Sequence, residues 1–156
     1  MKKIICCSLL AIAIFSCKNN DKKRIPEDAV DDKLNMMEAD RAFSRLSEAK
    51  GMKTAFLDYI DSNGVLLRSN HYPLVGADAI DYLIQQNDSS YTLKWEPKNG
   101  FVAASGDLGY TYGLYVLRPS TKDTLIYGNY VSIWKKQADG NWKFVLDSGN
   151  EGVGEE

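Results

Sequence analysis

Residues 125–148, LIYGNYVSIWKKQADGNWKFVLDS, decide the fold. Two runs rich in β-branched and aromatic residues, Leu125–Lys136 and Asn141–Ser148, flank Asp139-Gly140, a dipeptide that suits a hairpin, so the stretch reads as two antiparallel strands. The same grammar extends upstream. Tyr91–Glu96, Phe101–Ser105 and Leu108–Leu117 are strand-like runs separated by Asn99-Gly100 and Gly106-Asp107, which makes five expected strands after Asp88.

Before Asp88 the period changes. Met36, Ala39, Phe43 and Leu46 recur at steps of three and four with Ala42 beside them, while Glu38, Asp40, Arg41, Arg45 and Glu48 fall elsewhere on the wheel. This predicts an amphipathic helix from Asp31 or Asp32 to Lys50, stopped at Gly51. A short helix follows over Met52–Ile60, then a turn at Asp61-Ser62-Asn63-Gly64, a strand at Val65–Ser69, a loop at His71-Tyr72-Pro73 and a third helix carrying Ala77, Ile80, Leu83 and Ile84. Helices first and antiparallel strands afterwards imply an α+β domain, with about three N-terminal helices packed on one face of a curved antiparallel sheet.

The first seventeen residues have a different character. The chain has 156 residues and a formal net charge of −2, and its three cysteines are Cys6, Cys7 and Cys17. Lys2 and Lys3 precede an apolar run from Ile4 to Phe15, which is too short to span a bilayer and suits an export signal. Ile14-Phe15-Ser16-Cys17 resembles a bacterial lipobox, although Phe15 is bulkier than the usual pattern. That resemblance implies that residues 1–16 are removed and that Cys17 carries a lipid; an ordinary export signal with a spare cysteine is the other reading. Residues 17–30 are then a lipidated N-terminus and polar tether, 31–150 the folded domain and 151–156 a tail. Lys18 after the cysteine differs from the aspartate associated with inner-membrane retention, so the expected location is the cell envelope, at the outer membrane. Cleavage moves the net charge from −2 to −4 and leaves one cysteine, which argues against nucleic-acid binding, a disulfide scaffold and cysteine-ligated zinc.

The element order and particular residues resemble the nuclear-transport-factor-2-like cone fold in its SnoaL-like, ketosteroid-isomerase-like branch. The likeness is carried by Ala39-Asp40-Arg41-Ala42-Phe43, by Gly76-Ala77-Asp78-Ala79-Ile80, by Ser105–Gly113, and by Gly128–Trp134 running into Asp139–Lys143. It implies a pocket in the mouth of a cone-shaped sheet and homodimers through the outer sheet face. It does not choose between enzymes, binding proteins and dimerisation modules.

A pocket of this kind works through polar groups set among apolar walls, where a carboxylate can act as acid or base. Asp147, in the apolar run Phe144-Val145-Leu146, is the leading candidate; strict alternation also permits a solvent-facing strand end, with Val145 and Lys143 on its face. Asp58, near the end of the second helix, reads either as an acid at the cavity mouth or as helix-end solvation. His71 is the only histidine, either an acid-base group or an exposed loop residue. Tyr59, Trp95, Tyr112, Tyr130 and Trp134 are the candidate pocket aromatics, with ordinary sheet packing as the alternative. No metal-ligand spacing, phosphate loop or dinucleotide motif is present, so no metal and no cofactor is expected. Three functions fit: a lipid-anchored protein binding a small apolar or aromatic ligand, an acid-base enzyme using Asp147 or Asp58 with a tyrosine donor, or an interaction module without a cavity above about 300 Å³.

Overall fold

The computed structural model describes residues 26–121 and 123–152, so the expected signal segment, Cys17 and most of the expected tether lie outside the described residues. Helix α1 (Pro26–Lys50) extends upstream of the amphipathic pattern, which begins at Asp31 or Asp32. Helix α2 (Met52–Tyr59) leads into strand β1 (Ile60–Leu67), followed by the two-residue β2 (Leu74–Val75), α3 (Ala77–Gln85), β3 (Tyr91–Val102), β4 (Leu108–Pro119), β5 (Ile126–Lys136) and β6 (Trp142–Glu151).

The six strands form one open sheet in the order β2-β1-β6-β5-β4-β3. Every pairing is antiparallel except β1 with β6, which is parallel, so the expected antiparallel sheet is corrected to a mixed one. This follows from chain order: β1 enters from the helices and lies beside the last strand, whereas β3 to β6 succeed one another through reversing connections. The predicted turn at residues 61–64 is absorbed into β1 as an irregularity between Ile60 and Val65, where Asp61 Oδ1 accepts the Asn63 N–H at 2.9 Å. Four strands, not five, follow α3, because Tyr91–Val102 is continuous through a bulge between Pro97 and Asn99. Pro97 is tolerated inside it because β3 is the sheet edge and needs ladder partners on one side only.

The edge of β3 is closed by α1. Ser44 Oγ accepts the Trp95 N–H at 2.8 Å and donates to the Trp95 carbonyl at 2.7 Å, and Ser47 Oγ donates to the Leu93 carbonyl at 2.7 Å. The buried face of α1 therefore mixes Met36 and Phe43 with Asp40, Ser44 and Ser47. Unpaired strand edges invite intermolecular pairing, and here two hydroxyls satisfy three backbone groups of one.

The core lies between the helices and the concave sheet face. Phe43 is its centre, with ring centroids 4.5 Å from Trp95, 4.7 Å from Phe56, 4.9 Å from Tyr59 and 5.5 Å from Phe144. The convex face of β3 to β5 carries Phe101, Leu108, Tyr110, Tyr112, Tyr127 and Val131 exposed.

Candidate functional site

Beyond Phe56 and Trp95 the core opens into a cavity of about 360 Å³. Met52 and Phe56 of α2 and Tyr82 and Leu83 of α3 line one side; Leu93, Trp95, Tyr115, Leu117 and Tyr130 line the other. The sheet side is deep because tyrosines alternate with glycines across the strands. Tyr115 pairs with Gly128 and Tyr130 with both Gly113 and Gly149. A methyl group at Gly128 would come within 2.4 Å of the Tyr115 ring and one at Gly113 within 2.9 Å of the Tyr130 ring. The rings occupy the space that side chains at those glycines would fill.

At one end of the cavity stand Arg68 and Asp147. Arg68 Nη2 donates to Asp147 Oδ1 at 2.7 Å, and Nη1 donates to the Leu67 and Asp147 carbonyls at 3.0 and 3.1 Å. Ser132 Oγ donates to the other carboxylate oxygen of Asp147 at 2.8 Å. The guanidinium carbon lies 5.5 Å from the centre of the Phe56 ring. Asp147 is only 6% exposed. Simple alternation along β6 would put it with Val145 and Lys143, but the ladder skips Val145: Trp134 pairs with Phe144 and Ile133 with Leu146. One extra residue in a strand reverses the side-chain parity after it. The bulge thereby turns Asp147 to the concave side with Phe144.

Behind the cavity wall lies a second, fully buried carboxylate. Asp40 Oδ1 accepts from Trp95 Nε1 at 2.7 Å and Oδ2 from the Tyr130 hydroxyl at 2.8 Å. Thr111 also hydrogen-bonds Asp40, and its Oγ1 accepts from Trp134 Nε1 at 2.8 Å. Burial pushes the Asp40 carboxyl up to about 6, against the lowering effect of these hydrogen bonds. Burial and then the Asp40 charge raise the Tyr130 phenol far above its ordinary range. Tyr91 and Tyr115 in the cavity wall are raised chiefly by burial.

Of the residues singled out from sequence, Trp95, Tyr130 and Asp147 line this cavity. The others do not, and their assignment is corrected. Tyr112 lies on the convex face, 47% exposed, because Thr111 and Gly113 hold the inward positions on β4. Trp134 is buried in the core with its indole N–H on Thr111. Tyr59 stacks on Phe43 at the edge of the core, and Asp58 is exposed, its carbonyl accepting from Lys143 Nζ. His71 is exposed beyond the wall, its ring 5.2 Å from that of Tyr82. Arg68 and Asp40 escaped the sequence reading. Asp40 is in phase with Met36 and Phe43 and with the small hydroxyls Ser44 and Ser47, the pattern of a helix face that serves a strand edge. Among the described residues no group of three or more His, Cys, Asp or Glu side chains is placed to hold a metal ion.

This open cone of sheet with helices on its concave side and a cavity at one end is the NTF2-like fold. No protein-family model and no curated protein matches the sequence. Solved structures do. An NTF2-like protein with a cystatin-like fold from Novosphingobium aromaticivorans is 14% identical, with a TM-score of 0.61 over 77% of this chain and 81% of that one. A ketosteroid isomerase-like protein from Erwinia carotovora is also 14% identical, with a TM-score of 0.60 over 81% and 98%. A candidate scytalone dehydratase from N. aromaticivorans is 12% identical, with a TM-score of 0.65 over 83% and 89%. The chain shares their fold.

Proposed function

We propose that this chain is a small-molecule-binding protein built on an NTF2-like cone and held at the bacterial cell envelope, at the outer membrane, by a lipid on Cys17. The observation that carries the binding reading is the cavity of about 360 Å³, walled largely by aromatic and aliphatic side chains, with the Arg68–Asp147 ion pair, Gln86, Ser148 and Glu151 as its polar groups. That volume lies within the range of ligand sites, and its mixture of apolar walls and few polar groups suits a flat, largely apolar guest. An interaction module without a cavity does not need it. The acid-base reading is weaker on the same geometry: Asp147 has both oxygens engaged, by Arg68 and Ser132, and Tyr130 gives its proton to Asp40. Tyr130 therefore has no proton to give a guest, and the Arg68 charge holds Asp147 as a paired carboxylate and not as a free base.

The lipid reading rests on the Ile14–Cys17 sequence, and Cys17→Ala is expected to abolish incorporation of a palmitate analogue and release the protein from membranes. The convex strip Phe101, Leu108, Tyr110, Tyr112, Tyr127 and Val131 is uncharged, and a second copy of the chain can cover it face to face. Ligand binding is tested by thermal-shift screening of flat apolar compounds against the full chain and its Leu117→Trp variant, whose indole would occupy the cavity. Hits that raise the melting temperature of the parent but not of the variant are expected; a screen without hits, or hits indifferent to Leu117→Trp, would reject the site.

A further inference from the structure

Two rings of the cavity wall are tied to a residue outside it. Tyr130 lines the cavity, but its hydroxyl donates to Asp40, which is fully buried behind the wall. Trp95, the other large ring of this wall, likewise turns its indole N–H onto Asp40. A phenol has one proton, and an ionised carboxylate accepts without donating. Once that proton is committed inward, the Tyr130 oxygen has only lone pairs to offer elsewhere, and Trp95 offers a purely apolar face. Hydrogen-bond donors to the cavity come instead from Arg68 and from other lining groups, among them Gln86, Tyr91 and Ser148. Arg68 has five N–H groups, of which its bonds to Leu67 and Asp147 use three among the described residues.

We propose that Asp40 is a positioning residue that makes Tyr130 a hydrogen-bond acceptor toward the cavity, so that the site takes flat apolar molecules bearing a hydroxyl or amine donor ahead of their ether or methylated counterparts. This rests on the reading of the cavity as a ligand site. Asparagine at position 40 would reverse the arrangement. Trp95 is a donor only, so it holds the amide oxygen; the amide N–H₂ then meets the Tyr130 oxygen and turns the phenol proton toward the cavity.

The test uses 1-naphthol and its methyl ether as paired probes, titrated into the full chain in detergent with empty micelles as the blank. For the parent, 1-naphthol is expected to bind about tenfold more tightly than the ether, the effect of one net hydrogen bond. Asp40→Asn is expected to bring that ratio to one or below while both probes still bind. Tyr130→Phe is expected to remove the preference with ether affinity retained. A purely structural role for Asp40 would weaken both probes together and leave the ratio unchanged, which overturns the proposal. A parent that binds both probes equally also overturns it while leaving the ligand site standing; a parent that binds neither overturns both. Should Asp40→Asn fail to fold, Tyr130→Phe decides alone, and persistence of the preference in that variant rejects the idea.

Discussion

Asp40 carries a cost that its hydrogen bonds only partly offset. Its carboxyl is raised to about 6 by burial, so the folded state binds a proton more readily than the unfolded chain, where an aspartate titrates near 4. Between these values the native state holds more protons, and stability falls as pH rises until Asp40 is fully ionised. The charged and titratable groups acting on it are Tyr130 and Asp147, the latter raising it further. Urea unfolding of the parent should therefore show about 1.4 kcal/mol more stability at pH 5 than at pH 7.5 when referred to Asp40→Asn, a tenfold change in the folding equilibrium. A difference that is flat or of opposite sign would contradict the burial of an ionisable group there. Arg68 and Asp147 behave otherwise, since removing one partner strands the other. Arg68→Met should cost about 3–5 kcal/mol, and Arg68→Met with Asp147→Leu should recover most of that loss in the same urea assay. Asp147 was legible in the sequence as a charge in an apolar strand. Arg68 was not, because its partner lies 79 positions away and the parallel pairing of β1 with β6 brings them together.

At the level of elements, the strand grammar of residues 108–148 and the hairpin at Asp139-Gly140 could be read directly, because turn residues and period-two patterning are local, whereas the turn expected at Asn99-Gly100 lies inside β3. Irregularities could not. The bulge at Val145, which decides the side that Asp147 faces, depends on the pairing with β5 and leaves no mark in the run Phe144-Val145-Leu146. Likewise the periodicity of α1 located a helix but assigned Asp40 to its solvent side, because a polar residue on a buried face makes sense only once the donors it meets, Trp95 and Tyr130, and the strand edge that Ser44 and Ser47 meet are known. Ser44 and Ser47 supply that test. Ser44→Ala with Ser47→Ala should destabilise the fold by about 2 kcal/mol, since backbone groups of Leu93 and Trp95 lose their partners, and the freed edge should raise turbidity on mild heating. Unchanged stability and solubility would mean that the helix does not close that edge.

For the whole molecule, the sheet has two faces: a concave face that supplies core and cavity, and a convex face with exposed aromatics, for which we propose a second copy as cover. Tyr110→Glu with Tyr112→Glu places charges in the middle of that strip, and sedimentation equilibrium should show a dimer for the parent and a monomer for the variant, with ligand binding retained. A parent that stays monomeric at every concentration would remove the dimer from the account. The cavity is the central claim, and a crystal of the full chain soaked with 1-naphthol tests it most directly. The expected result is one naphthol between Trp95, Tyr115 and Tyr130, with the Arg68–Asp147 pair intact beside it. Side chains filling that space, or naphthol bound only on the convex face, would contradict the account.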